Sequence, residues 1–102
     1  MSKLYVTEFV GADEKTNTVT PAARVVGMTD QTPVTISGTT AQSAAFGNGA
    51  SLVRLHTDVI CCVAFGTNPT ATTSSMRMAA NSTEYFAVPA GQSYKVAVIA
   101  GT

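Results

Sequence analysis

Residues 59–65, with the sequence VICCVAF, constrain the fold more than any other stretch, because every one of them is apolar. Side chains of a strand alternate between two faces, so this strand has no face suited to water. The preceding residues 51–56 do alternate between apolar and polar side chains. The sequence therefore predicts two strands joined by a tight turn at Thr57 and Asp58, of which the second needs cover on both faces. It leaves open whether another sheet, a loop or a neighbouring subunit supplies the second cover.

Other segments of the chain also have the pattern of short strands, separated by turn residues such as Gly, Pro and Asn. These segments are 3–10, 18–28, 34–37, 41–46, 76–78, 83–88 and 93–100. The pattern is looser at 18–28, and no segment has the period of an amphipathic helix. We therefore expect an all-β fold, a small β-sandwich or jelly-roll-like barrel of about 7–9 short antiparallel strands.

Turn signals predict how neighbouring strands are connected. Gly38-Thr39-Thr40 and Gly47-Asn48-Gly49 have the composition of hairpin turns, and Pro89-Ala90-Gly91 predicts a further reversal of the chain. Residues 66–75, with the sequence GTNPTATTSS, have the polar composition of an exposed loop.

The chain has the length of a single domain with one hydrophobic core, since it contains 102 residues. We assign residues 31–102 to a β-sandwich core domain and residues 1–30 to an N-terminal strand or arm segment. This segment either packs on the same domain as a hairpin or reaches a neighbouring subunit. Pro21 and Gly27 favour a sheet edge for the segment around Arg24. The segment around Lys3 is also expected near an edge, and strand 59–65 is expected to be central.

Charge and cysteine content limit the possible partners. Six basic and six acidic residues give a net charge of zero, which suits neither nucleic acid nor an anionic membrane surface. No segment approaches the ~20 apolar residues of a membrane span, and the first residues lack the apolar run of a secretion signal.

Cys61 and Cys62 are adjacent in a strand, so they point to opposite faces and form no ordinary disulfide. Two free, buried thiols fit a reducing cytoplasm.

Few groups in the sequence are suited to building a catalytic site. The single histidine, His56, lies near Asp58 and the cysteines, and a Cys–His pair would activate a thiolate. We favour a surface histidine and inert, buried thiols. A zinc site from His56, Asp58 and Cys62 lacks the four Cys or His ligands of structural zinc. The spacing of Glu8, Glu84 and Asp58 favours no carboxylate pair. We therefore predict no enzyme activity, catalytic residue, metal site or cofactor.

Aromatic side chains that stack on sugars are a further possibility, but the chain has no tryptophan. Tyr5, Tyr85 and Tyr94 each lie in an alternating strand. We expect them to pack with their hydroxyl groups hydrogen-bonded rather than to form a platform for a sugar. Met76 and Met78 are expected in the core, although methionines also line adaptable contact surfaces.

The block from Cys61 to Ile99 contains two stretches, CVAFGTNPTATTSSMRM and EYFAVPAGQSYKVAVI. They combine a strand ending in Ala-Phe-Gly, an Asn-Pro-Thr-Ala-Thr loop, a short strand, Glu-Tyr-Phe-x-Val, a Pro-x-Gly turn and a final Val-Ala-Val-Ile strand. This pattern resembles small β-rich structural proteins encoded beside the capsid genes of tailed bacteriophages. The resemblance covers the C-terminal half of the chain and is absent from the first thirty residues.

The resemblance implies a head decoration or cement protein, which binds the outer capsid surface and bridges neighbouring major capsid subunits. Such proteins commonly form dimers or trimers, so a homo-oligomer is expected. They belong to the virion and are assembled in the cytoplasm of the bacterial host. Two alternatives stay open: a head–tail joining or tail-associated structural subunit, and a glycan-binding module for host attachment.

Under this interpretation, contacts to the major capsid protein or to other virion proteins come from the first strand, from the loop 67–75 and from the second apolar face of the 59–65 strand. The residues predicted to make these contacts are Lys3, Leu4, Tyr5, Val6, Phe9, Ile60, Cys62, Asn68, Pro69 and Thr70. Ile60 and Cys62 are expected to lie under a neighbouring chain or an extra strand.

Overall fold

A computed structural model describes residues 2–10, 28–47 and 49–101, in which the chain forms nine strands. The strands are β1 (Lys3–Val10), β2 (Met28–Asp30), β3 (Val34–Thr35), β4 (Ala41–Gln42), β5 (Ala50–Thr57), β6 (Cys61–Gly66), β7 (Met76–Met78), β8 (Thr83–Ala87) and β9 (Lys95–Ala100). Within these residues there is no helix of the length and apolar character that crossing a membrane requires.

The strands form two antiparallel sheets that enclose one core. In the five-stranded sheet, β1 pairs with β5 on one side and with both β2 and β3 on the other, and β8 pairs with the far side of β5. The four-stranded sheet has the order β4-β9-β6-β7. The predicted all-β fold, a small sandwich of short antiparallel strands, is therefore confirmed.

The strands β5 and β6, which the sequence presents as an adjacent pair, lie in different sheets. β5 pairs with β1 and β8, whereas β6 pairs with β7 and β9. The short connection at residues 58–60 therefore carries the chain from one sheet to the other. The residues after β3 do the same, because β3 pairs with β1 and β4 pairs with β9, so Gly38-Thr39-Thr40 closes no hairpin. Gly47-Asn48-Gly49 includes Asn48, which lies outside the described residues.

The position of β1 corrects the expectation of an edge strand at Lys3. This strand is internal to the five-stranded sheet, and its register with β5 runs from Leu4 opposite Thr57 to Val10 opposite Ala50. The expected strand at 18–28 and the edge position of Arg24 lie outside the described residues, apart from Met28 at the start of β2.

The core forms where the inner faces of the two sheets meet. Alternate residues of β1 and β5 face residues of β6 and β9, and burying this apolar surface is the main stabilising contribution to such a fold. The fully buried side chains of the core are Leu4, Val6, Val53, Leu55, Cys61, Val63, Val96 and Val98 on these strands and Met78 on β7. Phe65 joins the two sheets, with ring centroids 5.0 Å from Phe86 and 6.4 Å from Phe46. Met76, in contrast, is exposed, so only one of the two methionines is a core residue.

A carboxylate lies on the inner face at one end of this core. Glu8 is opposite Val53 in the sheet register and is buried. Its two oxygens accept hydrogen bonds from Gln31 Nε2 (2.6 Å) and from the Gly47 backbone N–H (2.7 Å). The Gln31 side chain also donates to the Ala44 carbonyl (3.2 Å) and accepts from the Ala44 N–H (3.1 Å). This network ties β1 to the segment between β4 and β5.

Candidate functional site

The outer face of the five-stranded sheet exposes aromatic and charged side chains. We call Tyr5, Arg54, His56 and Tyr85, which lie on β1, β5 and β8, the tyrosine face. Tyr5 is 41% exposed and Tyr85 is 48% exposed, while Arg54 and His56 on the intervening strand are half-buried. Neither tyrosine hydroxyl group has a hydrogen bond among the described residues, so the prediction that these two tyrosines pack with hydrogen-bonded hydroxyl groups is wrong. Tyr94, in contrast, packs against the core as expected.

The sheet register sets the spacing of the tyrosine face. Tyr5 is opposite His56, and His56 is opposite Thr83; in the neighbouring row, Arg54 is opposite Tyr85. The His56 Nδ1 and Thr83 Oγ1 atoms are hydrogen-bonded at 2.8 Å, and the Tyr5 and His56 ring centroids are 6.2 Å apart. Because the strands are paired, the backbone fixes the relative positions of these residues on the sheet.

A cleft of about 660 Å³ opens on the tyrosine face beside Tyr5. Its volume lies within the range of small-ligand sites. The polar side chains of its lining are Tyr5, Thr7, Asp30, Gln31, Arg54, His56 and Asp58. The hydroxyl group of Thr7 donates to Asp30 Oδ1 at 2.7 Å, which orients that carboxylate. Throughout the described ranges, nothing forms a hydrogen bond or ion pair with the Arg54 guanidinium.

The chain itself covers part of the opposite outer face, on the four-stranded sheet. Residues 67–75, which we call the covering loop, connect β6 to β7 and fold back over this face. Cys62 is only 1% exposed, and its thiol lies 3.6 Å from the Thr73 carbonyl oxygen. Ile60 is half-buried beside Gly101, where a Cβ atom would approach Ile60 Cγ2 to 3.0 Å. The cover of Cys62 thus comes from a loop of the same chain, which corrects the expected neighbouring chain or extra strand.

Hydrogen bonds anchor the covering loop in one conformation. The Gln42 side-chain amide donates to Asn68 Oδ1 (2.9 Å) and to the Pro69 carbonyl (2.8 Å). The Ala71 N–H donates to Thr40 Oγ1 (2.9 Å). Pro69 and Ala71 are buried, while Asn68 and Thr70 between and beside them are exposed. The loop therefore anchors alternate residues on the sheet and presents the others to solvent.

The predicted contact residues do not form one surface. Leu4, Val6, Phe9, Cys62 and Pro69 are buried, Lys3 and Ile60 are half-buried, and Tyr5, Asn68 and Thr70 are exposed. Tyr5 belongs to the tyrosine face, whereas Asn68 and Thr70 lie on the covering loop at the opposite side of the sandwich. The accessible members of the set are thus divided between two surfaces.

The structure separates His56 from both cysteines. His56 is on the outer face of the five-stranded sheet, Cys61 points into the core, and Cys62 lies under the covering loop. Both thiols are free and buried. Burial raises the pKa of the Cys61 thiol; a hydrogen bond with Thr57 lowers it in part, and the neighbouring Cys62 raises it further. This environment favours the neutral thiol and does not activate a nucleophile.

The raised pKa of Cys61 predicts a loss of stability in alkaline solution. The unfolded chain releases the thiol proton near pH 9, whereas the folded protein retains it to higher pH. The stabilising contribution of Cys61 is therefore complete below that pH and is lost as the pH rises toward the folded-state pKa. We expect the difference in unfolding free energy between the wild type and Cys61→Ala, measured by urea denaturation, to shrink between about pH 8 and pH 10. A difference that stays constant would contradict this prediction.

The three acidic side chains that were considered for a catalytic carboxylate pair lie in different parts of the structure. Glu8 is bound to Gln31 and Gly47 on the core side of the five-stranded sheet, Asp58 lines the cleft on the other side, and Glu84 is exposed on β8. Across residues 2–10, 28–47 and 49–101, no three His, Cys, Asp or Glu side chains are grouped as metal ligands would be.

The cleft was not predicted from the sequence, although part of its signal is visible there. The alternation of β5 does place Arg54 and His56 on the face away from Val53. The same rule applied to β1 places Tyr5 on its solvent side, because Leu4 and Val6 are the apolar neighbours. The contribution of Asp30 is not visible locally, since it depends on pairing of β2 with β1.

Comparison of the chain with protein-family models, with curated proteins and with solved structures found no match.

Proposed function

We propose that the protein is a non-enzymatic structural protein of a bacteriophage virion: a capsid decoration, or cement, protein that binds the outer head surface and bridges major capsid subunits. The observation that carries this proposal is the anchored covering loop. Its exposed residues Asn68 and Thr70 alternate with the buried anchors Pro69 and Ala71. The loop also lies within the segment Cys61 to Ile99, which resembles small β-rich structural proteins encoded beside the capsid genes of tailed bacteriophages.

An anchored loop is well suited to docking on a lattice. Its conformation is already fixed by Gln42 and Thr40, so little conformational entropy is lost when it binds. Its Thr- and Ser-rich surface makes only weak individual contacts. A dimer or trimer that places several such loops on neighbouring capsid subunits multiplies these contacts. Binding only to the assembled shell then stabilises the shell by mass action.

The two outer faces of the sandwich point in opposite directions. A protein that docks through the covering loop therefore turns the tyrosine face away from the shell. In this arrangement the loop contacts the capsid protein, and Tyr5 and Tyr85 stay accessible to other partners.

Substitution of an exposed loop residue tests the docking surface. Thr70 is exposed and has no hydrogen bond or ring contact within the described residues, so Thr70→Arg is expected to leave the fold intact. A long charged side chain in a close interface prevents packing, and we expect head loading to fall by about tenfold or more. The measurement is co-sedimentation of the purified protein with undecorated phage heads, with bound copies counted per head.

Ala87→Arg is the matched control, because it adds the same side chain at an exposed position of β8 on the five-stranded sheet. It should load like the wild type, on the order of hundreds of copies per head. A wild-type protein that does not bind heads would refute the decoration role. Saturation at about six or twelve copies would support the alternative of a head–tail joint, since such joints occupy one vertex with ring symmetry.

A further inference from the structure

The cleft on the tyrosine face has the chemistry of a site for a polyhydroxylated ligand. We propose that it binds a neutral sugar, with one ring stacked on Tyr5 and its hydroxyl groups bound by Asp30, Arg54, His56 and Asp58. This proposal does not depend on the covering loop or on capsid binding, because the cleft lies on the other side of the sandwich.

Both hydrogen-bond donors and hydrogen-bond acceptors are available in the cleft. Asp30 uses one carboxylate oxygen for Thr7, and no side chain in the described residues binds the carboxylate of Asp58. The guanidinium of Arg54 supplies donors, and His56, whose Nδ1 is used by Thr83, retains Nε2. A sugar hydroxyl both donates and accepts, so it matches a cleft that is lined by carboxylates and a guanidinium that form no ion pairs with one another.

Tyr5 supplies the apolar part of the site. Tyr5 is 41% exposed at the cleft, and its ring centroid is 6.2 Å from that of His56 on the neighbouring strand. The C–H face of a pyranose packs on such a ring, while the hydroxyl groups at its edge reach polar side chains. An exposed aromatic ring beside unpaired polar groups thus fits a ligand with one apolar face and a polar rim.

The charges of the cleft favour a neutral sugar over an acidic one. Asp30 and Asp58 outnumber Arg54, so a ligand carboxylate would meet net repulsion. A uronic acid should therefore bind more weakly than the corresponding neutral hexose.

The test is a titration of the ¹⁵N-labelled full chain with glucose, galactose, mannose and N-acetylglucosamine, their methyl glycosides and common disaccharides, with galacturonic acid included. We expect at least one neutral sugar to shift the amide signals of β1 and β5 with a dissociation constant of roughly millimolar size, typical of a single shallow site. Tyr5→Ala should weaken this binding by about tenfold, and Asp58→Asn should also weaken it. Tyr85→Ala, on the same face but outside the cleft, should bind like the wild type.

Three results would overturn the proposal. The first is the absence of any shift with the whole panel at about 50 mM sugar, a concentration that detects even very weak sites. The second is equal loss of binding in Tyr5→Ala and Tyr85→Ala, which would place the sugar elsewhere on the face. The third is tighter binding of galacturonic acid than of galactose. If Tyr5→Ala abolishes head loading and the sugars do not bind, the cleft is instead part of a protein interface. Loss of head loading in Thr70→Arg alone concerns the covering loop and does not count against sugar binding in the cleft.

Discussion

Replacing Leu55 by alanine is expected to lower the free energy of unfolding by about 2–5 kcal/mol. Leu55 is fully buried on the inner face of β5 and lies between β1 and β8, opposite Val6 and Glu84. Alanine at this position removes apolar contacts and leaves a cavity that a paired, central strand cannot close by moving. Small domains have total stabilities of about 5–15 kcal/mol, so the loss is a large share of the whole.

Urea denaturation followed by far-ultraviolet circular dichroism measures this effect, because the chain has no tryptophan for fluorescence. We expect the thermal midpoint of Leu55→Ala to fall by about 10 °C or more. Leu52→Ala is the matched control: the same substitution in the same strand, at a half-buried position on the outer face, should cost about 1 kcal/mol or less. Equal losses in the two variants would mean that the inner face of β5 is not the core.

The positions of the strands follow from local sequence, but their partners do not. The alternation of residues 3–10 and the apolar run at 61–65 each identify a strand, because the pattern of side-chain faces repeats within a few residues. The composition of the turn at Thr57 and Asp58 is compatible both with a hairpin and with a connection between the two sheets. The choice is decided by which surfaces β5 and β6 bury together, and that depends on β1 and β9, which are distant in sequence.

The candidate surfaces were predictable to different degrees. Arg54 and His56 could be placed on the outer side of β5 from its alternation alone. The polar composition of the covering loop predicts an exposed connection, yet its alternate residues Pro69 and Ala71 are buried against the sheet. This anchoring depends on Gln42, which lies in a different part of the sequence. Composition therefore indicates that the loop meets solvent, but not which of its side chains do.

A buried carboxylate such as Glu8 is a costly feature that the apolar and polar pattern of β1 does not explain. Its burial is tolerable because both carboxylate oxygens accept short hydrogen bonds, and no buried side-chain nitrogen or oxygen in the described residues lacks a partner. Removing the carboxylate leaves the Gly47 N–H and one Gln31 N–H without an acceptor. Gly47 is exposed and Gln31 is half-buried, so water can replace the carboxylate in part, and the loss is smaller than for a fully buried unpaired donor. The network at this end of the core is therefore expected to be sensitive to substitution, but less so than the apolar centre.

We expect Glu8→Ala to lower the free energy of unfolding by about 1–3 kcal/mol and Glu8→Gln by about 1–2 kcal/mol. Glutamine keeps the shape of the side chain but has only one acceptor for two donors, so its effect isolates the hydrogen bonds from the packing. Glu84→Gln, the same change at an exposed position, should stay within about 0.5 kcal/mol of the wild type. Urea denaturation at neutral pH measures all three variants, and Glu8→Gln together with Gln31→Ala completes a double-mutant cycle. A coupling energy of about 1 kcal/mol or more would show that the two side chains act as a unit; if Glu8→Gln is as stable as Glu84→Gln, this end of the sandwich is held by its backbone pairing alone.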